Sequence, residues 1–418
     1  MVNALLRRCA LASPKSVTHL PFYGHMIVRL FLNWVRSAPA GERADATSAL
    51  ARAYLYSELT PDDRAAAESA MVMLLDDASP LVRRALASAL AGSEKAPPSV
   101  IYSLAADQPS VASIVLSRSP LFVDADLVDA AARGEPDLQV AIARRPTVPC
   151  AVSAAIAEIG CAEACLVLLE NHAAEIAQFS LDRMVARFGH LAVVRNAMLD
   201  RADIPAPTRQ ALVAKLSKSL ADFVTARDWL GEERAKTVVK EACEKATITL
   251  AAVSPNSEMR PLIRHLRESG QLNAGLLLRA LLCGNIALFE EALVELSEVS
   301  PARVAAILHD RYGGGFRALY DRAGLPASIY PAFREAIETI RAEGFNSEPE
   351  GAIRLKRRVV ERVLSRCEAD VLGDVEPLLT LLRRFAAEAS REEARTFCDK
   401  LVAECADVLP QPRTRFAA

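Results

Sequence analysis

The sequence predicts an all-α fold: a solenoid of short helical hairpins followed by a compact C-terminal helical domain. Three observations carry this reading. Ala and Leu dominate, while aromatics are 5% and glycines only 17 of 418 residues. That composition suits helices packed through small side chains and disfavours a β-sandwich or barrel. Apolar residues recur at helical spacing, in stretches that often open on a polar residue followed by proline. A unit of 27–29 residues then repeats from Val82 onward.

The reference stretch is Ser79-Pro80-Leu81-Val82-Arg83-Arg84-Ala85-Leu86-Ala87-Ser88-Ala89-Leu90. Ser79 is placed as the cap of a helix whose first position is Pro80, where a missing N–H costs nothing. Val82, Leu86, Ala89 and Leu90 share one face, with Arg83, Arg84 and Ser88 largely outside it.

Ahead of it, residues 1–25 carry Arg7, Arg8 and Lys15 and no acid, and are expected to be a disordered leader. A secretory signal fits poorly, because Arg7, Arg8 and Ser13-Pro14-Lys15 break the apolar run. The apolar stretch Met26 to Val35 holds Arg29 and is far shorter than the roughly 20 residues of a membrane helix. It reads instead as a helix with Ile27, Leu30, Phe31 and Trp34 on one face. Residues 43–57 form the next helix, and Thr60-Pro61-Asp62-Asp63 opens another that runs to about Leu75.

The repeat follows. Asp77-Ala78-Ser79-Pro80 is echoed by Asp107-Gln108-Pro109-Ser110 and Glu135-Pro136-Asp137, and without proline near Cys165 and Val193. Val82, Val111, Leu138, Cys165 and Val193 stand 29, 27, 27 and 28 residues apart and are expected to be buried. Each unit is split by a second break, at Ala96-Pro97-Pro98, Ser119-Pro120, Arg145-Pro146, Asn171-His172 and Asp203-Ile204-Pro205. A single hairpin of this length cannot bury its own apolar face, so neighbours must stack.

Beyond residue 217 the period fades. A long helix is expected from Gly231 to Val253, then compact ones over Pro261–Ser269, Ala274–Cys283, Asn285–Val299, Ser300–Asp310, Phe316–Arg322 and Pro331–Ala342. Three charged amphipathic helices (352–369, 373–389 and 391–407) complete the expectation, with a disordered tail from Pro410. The expected division is therefore 1–25 leader, 26–217 solenoid, 218–345 helical continuation, 346–409 C-terminal bundle and 410–418 tail.

Little in the chain looks catalytic. With 50 basic and 52 acidic residues the formal charge is −2, which gives no global attraction to nucleic acid. Nine cysteines are scattered without a Cys-x-x-Cys pair. Cys161 and Cys165 sit one turn apart, but no second ligand pair completes a metal site. Packing and a reducing, cytoplasmic setting fit them best. No Gly-x-Ser-x-Gly or His-Glu-x-x-His occurs, and six histidines are dispersed. Gly313-Gly314-Gly315 after His309-Asp310-Arg311 is the stretch most like an active site. It lacks the strand and Lys-Ser/Thr of a phosphate loop and reads as a helix–helix turn. The charge pattern to weigh is Arg354, Arg358, Arg362 and Arg366, a basic stripe at spacing four with Lys356 and Arg357 beside it. It meets phosphates or an acidic partner helix, or is paired by Glu361, Glu368 and acids of the following two helices.

Several runs also carry a resemblance. They are Leu116-Ser117-Arg118-Ser119-Pro120, Ala141-Ile142-Ala143-Arg144-Arg145-Pro146, Leu168-Leu169-Glu170-Asn171, Leu276-Leu277-Leu278-Arg279-Ala280-Leu281, Phe289-Glu290-Glu291-Ala292-Leu293, and Leu308-His309-Asp310 with Leu319-Tyr320 and Gly324-Leu325-Pro326. Over roughly residues 26–345 the chain resembles a bacterial family of HEAT-like helical-repeat proteins known as a domain of unknown function. The resemblance implies an all-helical cytoplasmic protein and brings no activity, ligand or catalytic residue. His172-Ala173 after Asn171 departs from the tight turn that the resemblance implies there.

The functional expectation is a non-catalytic scaffold that binds another protein, with Arg354, Arg358, Arg362 and Arg366 as candidate contacts and no cofactor, metal or membrane. The alternatives are a nucleic-acid-binding, glycosylase-like protein and an enzyme with a site near residues 309–325.

Overall fold

A computed structural model describes residues 33–35, 37–310, 314–343, 357–369 and 376–408. The leader, Ile27, Leu30 and Phe31 of the first expected helix, Arg311, Gly313, Arg354 and the tail from Pro410 lie outside the described residues. The chain divides into two units, Met1–Asp203 and Ile204–Ala418.

In the first unit the helices are α1 (Ala40–Tyr56), α2 (Pro61–Leu75), α3 (Pro80–Leu90), α4 (Pro98–Ala105), α5 (Pro109–Arg118) and α6 (Asp124–Ala132). Then come α7 (Pro136–Ala143), α8 (Cys150–Ile159), α9 (Ala162–Glu170), α10 (Gln178–Phe188) and α11 (Ala192–Asp200). The odd helices pack on one another in chain order. The even helices run alongside, with α2 against α4, α6 against α8 and α8 against α10. Among the described residues there is no strand, only an isolated bridge between Val148 and Ala174 that joins the corners of successive hairpins.

The repeat positions explain the stacking. Val82, Leu86, Val111, Leu138 and Cys165 are all buried between neighbouring helices. Val193 is not: it stands 58% exposed, and Val194 beside it is fully buried. Val194 is the third residue of α11, as Val82, Val111 and Leu138 are of their helices, whereas Cys165 is the fourth of α9; from Cys165 to Val194 is 29 residues, one more than the 28 expected. Ala89 is likewise half-buried, and Ala87 takes its place in the core.

Ser79 precedes α3 as expected, yet its side chain makes no capping bond. Asp77 does the work: its Oδ1 accepts from the Ser79 amide at 2.8 Å, and both carboxylate oxygens accept from Arg43 of α1. Arg83 of α3 repeats the device on Asp107, one unit on. From α5 onward most of the partners are the carbonyls that every helix leaves unmet at its C-terminus, although Arg183 keeps Glu158 and Arg201 also holds Asp203. Arg145 donates to Leu116 O and Ser119 O, Asn171 to Ala143 O and Arg145 O, and Arg201 to Leu169 O and Asn171 O. The even helices have two such rungs, Arg133 to Ala105 O and Arg187 to Ala157 O and Gly160 O. The Asn171 corner needs no tight turn of another kind, because Asn171 Oδ1 also accepts from Ala173 N.

The second unit opens on a hairpin of two long helices, α12 (Ala206–Ala226) and α13 (Glu232–Val253). Next are α14 (Asn256–Glu268), α15 (Ala274–Leu282), α16 (Ile286–Ser297), α17 (Pro301–His309) and α18 (Phe316–Arg322). The last three are α19 (Tyr330–Glu343), α20 (Arg357–Ala369) and α21 (Glu376–Val408). Two boundaries differ from expectation. α14 starts at Asn256, with Pro261 inside it, because burying Met259, Leu262, Ile263 and Leu266 on one face outweighs the lost backbone bond. The helices expected over 373–389 and 391–407 are one 33-residue helix, since no Gly or Pro after Pro377 interrupts it.

At the centre lies α15, in which every side chain is buried. It is apolar all round apart from Arg279, as befits a helix enclosed by others. α14 packs on α16, α15 on α19, α19 on α20, and α20 on α21.

Two outcomes check this architecture. Leu86→Ala, which empties a fully buried position, is expected to cost about 2–5 kcal/mol in chemical denaturation; an unchanged midpoint would place Leu86 outside the core. For Asp77, burial pushes the carboxyl up, but Arg43 and the Ser79 amide outweigh it and hold the group below the usual range. A depressed folded-state pKa contributes stability above the unfolded carboxylate pKa and loses it as pH falls through the folded value. Asp77→Asn should therefore lower the melting temperature near neutrality, with the difference from wild type closing in acid.

Candidate functional site

The arginine stripe is split by its surroundings. Arg366 reaches from α20 to Glu335 of α19, with Nη1 3.2 Å from the nearly buried carboxylate. Arg357 is held by Glu361 of its own helix at 2.7 Å and by Glu393 of α21 at 3.0 Å. Glu368 is engaged by Arg383 of α21. Arg358 and Arg362, one turn apart on α20, are exposed and have no ion-pair partner among the described residues. They flank Val359, Val360 and Val363, which are buried and fix the helix against the core. The outer face of α20 thus keeps two guanidiniums, while Arg366 ties it to α19 and Arg357 ties it to α21.

Of the glycine run, Gly314 and Gly315 are among the described residues. Gly315 stands at the start of α18, and a Cβ there would lie 3.2 Å from Ile307 Cγ1, so glycine serves close packing. His309 is half exposed with Nε2 3.3 Å from Glu290 Oε1. The cavity between them and Phe289 is about 10 Å³, room for a single water. Cys161 caps α9 by accepting from Ala164 N, and Cys165 is buried, with burial pushing its thiol up to about 11. Both sulfurs are spent on packing and capping. Among the described residues no three His, Cys, Asp or Glu gather as a metal site.

Another site emerges in the second unit, between the α12–α13 hairpin and the α14–α15 turn. Lys236, Lys240, Cys243 and Thr247 follow one another at three- and four-residue steps, so α13 turns a polar face towards α12. At one end that face is filled. Gln210 of α12 is fully buried and donates to Gln271 Oε1 at 2.7 Å, and its Oε1 lies 3.0 Å from His265 Nε2. Thr247 and Cys243 close on the same amide. Gly270 at φ 70° lets the chain turn sharply there, with Gln271 N and Leu272 N both donating to Leu266 O. At the other end the helices leave a cleft of about 580 Å³, whose wall includes Lys218, Lys240, Glu244 and Asn273.

Glu244 links this cleft to the core. It is 8% exposed, with Oε1 3.5 Å from Asn273 Nδ2 and Oε2 3.9 Å from Arg279 Nε. Arg279 itself is 2% exposed; its Nη1 donates to Glu388 of α21 at 2.7 Å, and its guanidinium lies over the Phe385 ring. Lys245 pairs with Glu388 and Glu392. Burial raises the Glu244 pKa, with Lys240 and Arg279 pulling the other way.

None of these cleft residues was singled out by the sequence. The available signal was the polar spacing along α13, which reads as a solvated face until α12 packs on it.

The family described as "Uncharacterised protein conserved in bacteria (DUF2336)" matches residues 111–373. The chain belongs to this family. The matched span begins and ends later than the 26–345 over which the resemblance was read, and it covers the cleft, α15 and the arginines of α20. No curated protein and no solved structure matches the chain.

The raised Glu244 pKa has a signed consequence. An acid shifted upward destabilises the fold above its unfolded pKa, and the penalty fades as pH falls through the glutamate range. Glu244→Gln is expected to melt at or above the wild-type temperature at pH 7, with the gain gone near pH 4. A lower melting point at pH 7 would mean that Arg279 depends on the Glu244 charge.

Proposed function

We propose that this DUF2336 protein is a non-catalytic interaction scaffold that docks an acidic protein segment on α20. The observation that carries the reading is the exposure of Arg358 and Arg362 without an ion-pair partner among the described residues, on a helix whose other described arginines are paired. Guanidiniums one turn apart suit two carboxylates on an extended or helical partner. A reducing, cytoplasmic setting belongs to this reading, supported by the free thiols of the described cysteines. Among the described residues no helix is long and apolar enough to cross a membrane.

Nucleic-acid binding is the weaker reading. A basic binding face needs free cations, and the arginines of the first unit are largely spent inside it. Arg83 binds Asp107, Arg183 binds Glu158, and Arg133, Arg145, Arg187 and Arg195 donate to backbone carbonyls. Arg84, Arg118 and Arg144 remain exposed. An enzyme near residues 309–325 draws no support from the small His309–Glu290 cavity.

The test is the double variant Arg358→Glu with Arg362→Glu, used as bait in a bacterial lysate at low salt. Wild type should retain a protein that high salt releases, and the variant should not, while stability changes by no more than about 0.5 kcal/mol. A large fall in melting temperature with capture preserved would place these arginines in the fold. Recovery of nucleic acid alone would favour the rival reading.

A further inference from the structure

The cleft beside α12 and α13 has features that packing does not require. Two helices in a hairpin normally meet through apolar residues. Here the wall carries the exposed Lys218, Lys236 and Lys240 together with the exposed Asp222, and a second carboxylate, Glu244, lies buried beneath them. Lys218 of α12 and Lys240 of α13 are exposed on its wall and have no ion-pair partner among the described residues. Lys236, also on the wall, is engaged by Glu232 at 2.7 Å and Glu233 at 3.1 Å. One turn beyond Lys240, Glu244 is more than nine-tenths buried, and its nearest donors stand at 3.5 and 3.9 Å. A buried carboxylate has about four accepting positions, and these long contacts leave most of them unused.

The surroundings are rigid where a binding site needs them to be. Gln210 and Thr247, both buried, join the half-buried Gln271 and His265 in a hydrogen-bonded floor at the closed end. Asn273 is fixed on the turn, its Oδ1 accepting from Leu276 N and its Nδ2 donating to Gln271 O. The volume of about 580 Å³ lies within the range of small-molecule sites, roughly 300–1,000 Å³.

We propose that this cleft binds a small metabolite bearing one anionic group, held by Lys218 and Lys240, and a hydrogen-bond donor that reaches the Glu244 carboxylate. The anion enters last and stays near the exposed lysines, where desolvation costs least. The donor end supplies the close partner that Glu244 lacks. Phosphate and carboxylate share this chemistry, and the two probes below separate them. The site shares no residue with Arg358 and Arg362, so its failure leaves the scaffold reading untouched.

Ligand-observed NMR on the full chain, with glucose 6-phosphate and 4-aminobutyrate as separate probes, tests the proposal. Saturable binding of at least one probe at about millimolar affinity is expected. Lys218→Glu combined with Lys240→Glu should weaken that binding about tenfold or more, and Glu244→Gln should weaken it while leaving the circular dichroism spectrum unchanged. Arg358→Glu with Arg362→Glu should leave it intact. Absence of binding by both probes at about 10 mM, or equal binding to wild type and the double lysine variant, would overturn the proposal.

Discussion

The structure depends on how helix ends are closed. A helix of eight to eleven residues, the length of most in the first unit, leaves four carbonyls unmet at its C-terminus, a large share of its backbone. Few of these helices end on a glycine turn. Arg145, Asn171 and Arg201 meet those carbonyls instead, each from a position in the next unit. Bonds from a charged donor to such a carbonyl contribute about 1.5–3 kcal/mol and oppose the negative end of the helix dipole. The same device recurs in the second unit, where Arg322 donates to Ser297 O and Arg341 to Leu308 O. Arginine in this chain is therefore often a building material, while Arg358 and Arg362, like Arg84, Arg118 and Arg144, are exposed without such a task.

The second unit closes around a different constraint. α15 is too apolar to face water on any side, and the one charge within it must be met from outside the helix. Glu388 meets it at 2.7 Å, and the Phe385 ring covers the guanidinium plane. Lys245 then shares Glu388 and Glu392, which draws α13 to α21 as well. A buried ion pair contributes little net stability compared with apolar packing, but breaking it strands a buried charge. Arg279 consequently selects one docking position of α21 along α15 over positions shifted by a turn.

Much of this was legible in the sequence because short hairpins write their core at a fixed interval. Val82, Val111 and Leu138 sit at the third position of their helices, and the proline starts announced them. The interval misled at Val193, since the corner from 171 to 177 adds length that no proline marks. Boundaries without Gly or Pro were the hardest: α21 runs on through Ser390, where a change of polarity imitates a break. The cleft was illegible for another reason. Lys240 and Glu244 one turn apart are what a solvated helix face shows, and only the packing of α12 turns that face inward. Arg279 was visible as a charge amid leucines, but its partner Glu388 lies 109 residues away, beyond any local pattern.

The rungs of the first unit also give the array a direction. From Arg133 onward each carbonyl rung looks back to the previous unit, 29 residues from Arg145 to Leu116 and 28 from Asn171 to Ala143. The chain can thus gain or lose material only in whole periods at low cost. Removing one full unit presents a later donor to carbonyls equivalent to those it left. Removing half a unit leaves buried carbonyls unmet on one side of the scar and a guanidinium without acceptors on the other, at about 1–3 kcal/mol for each unmet group. Length variation among arrays built this way is quantised, and single-residue slips such as the one ahead of Val194 are confined to corners.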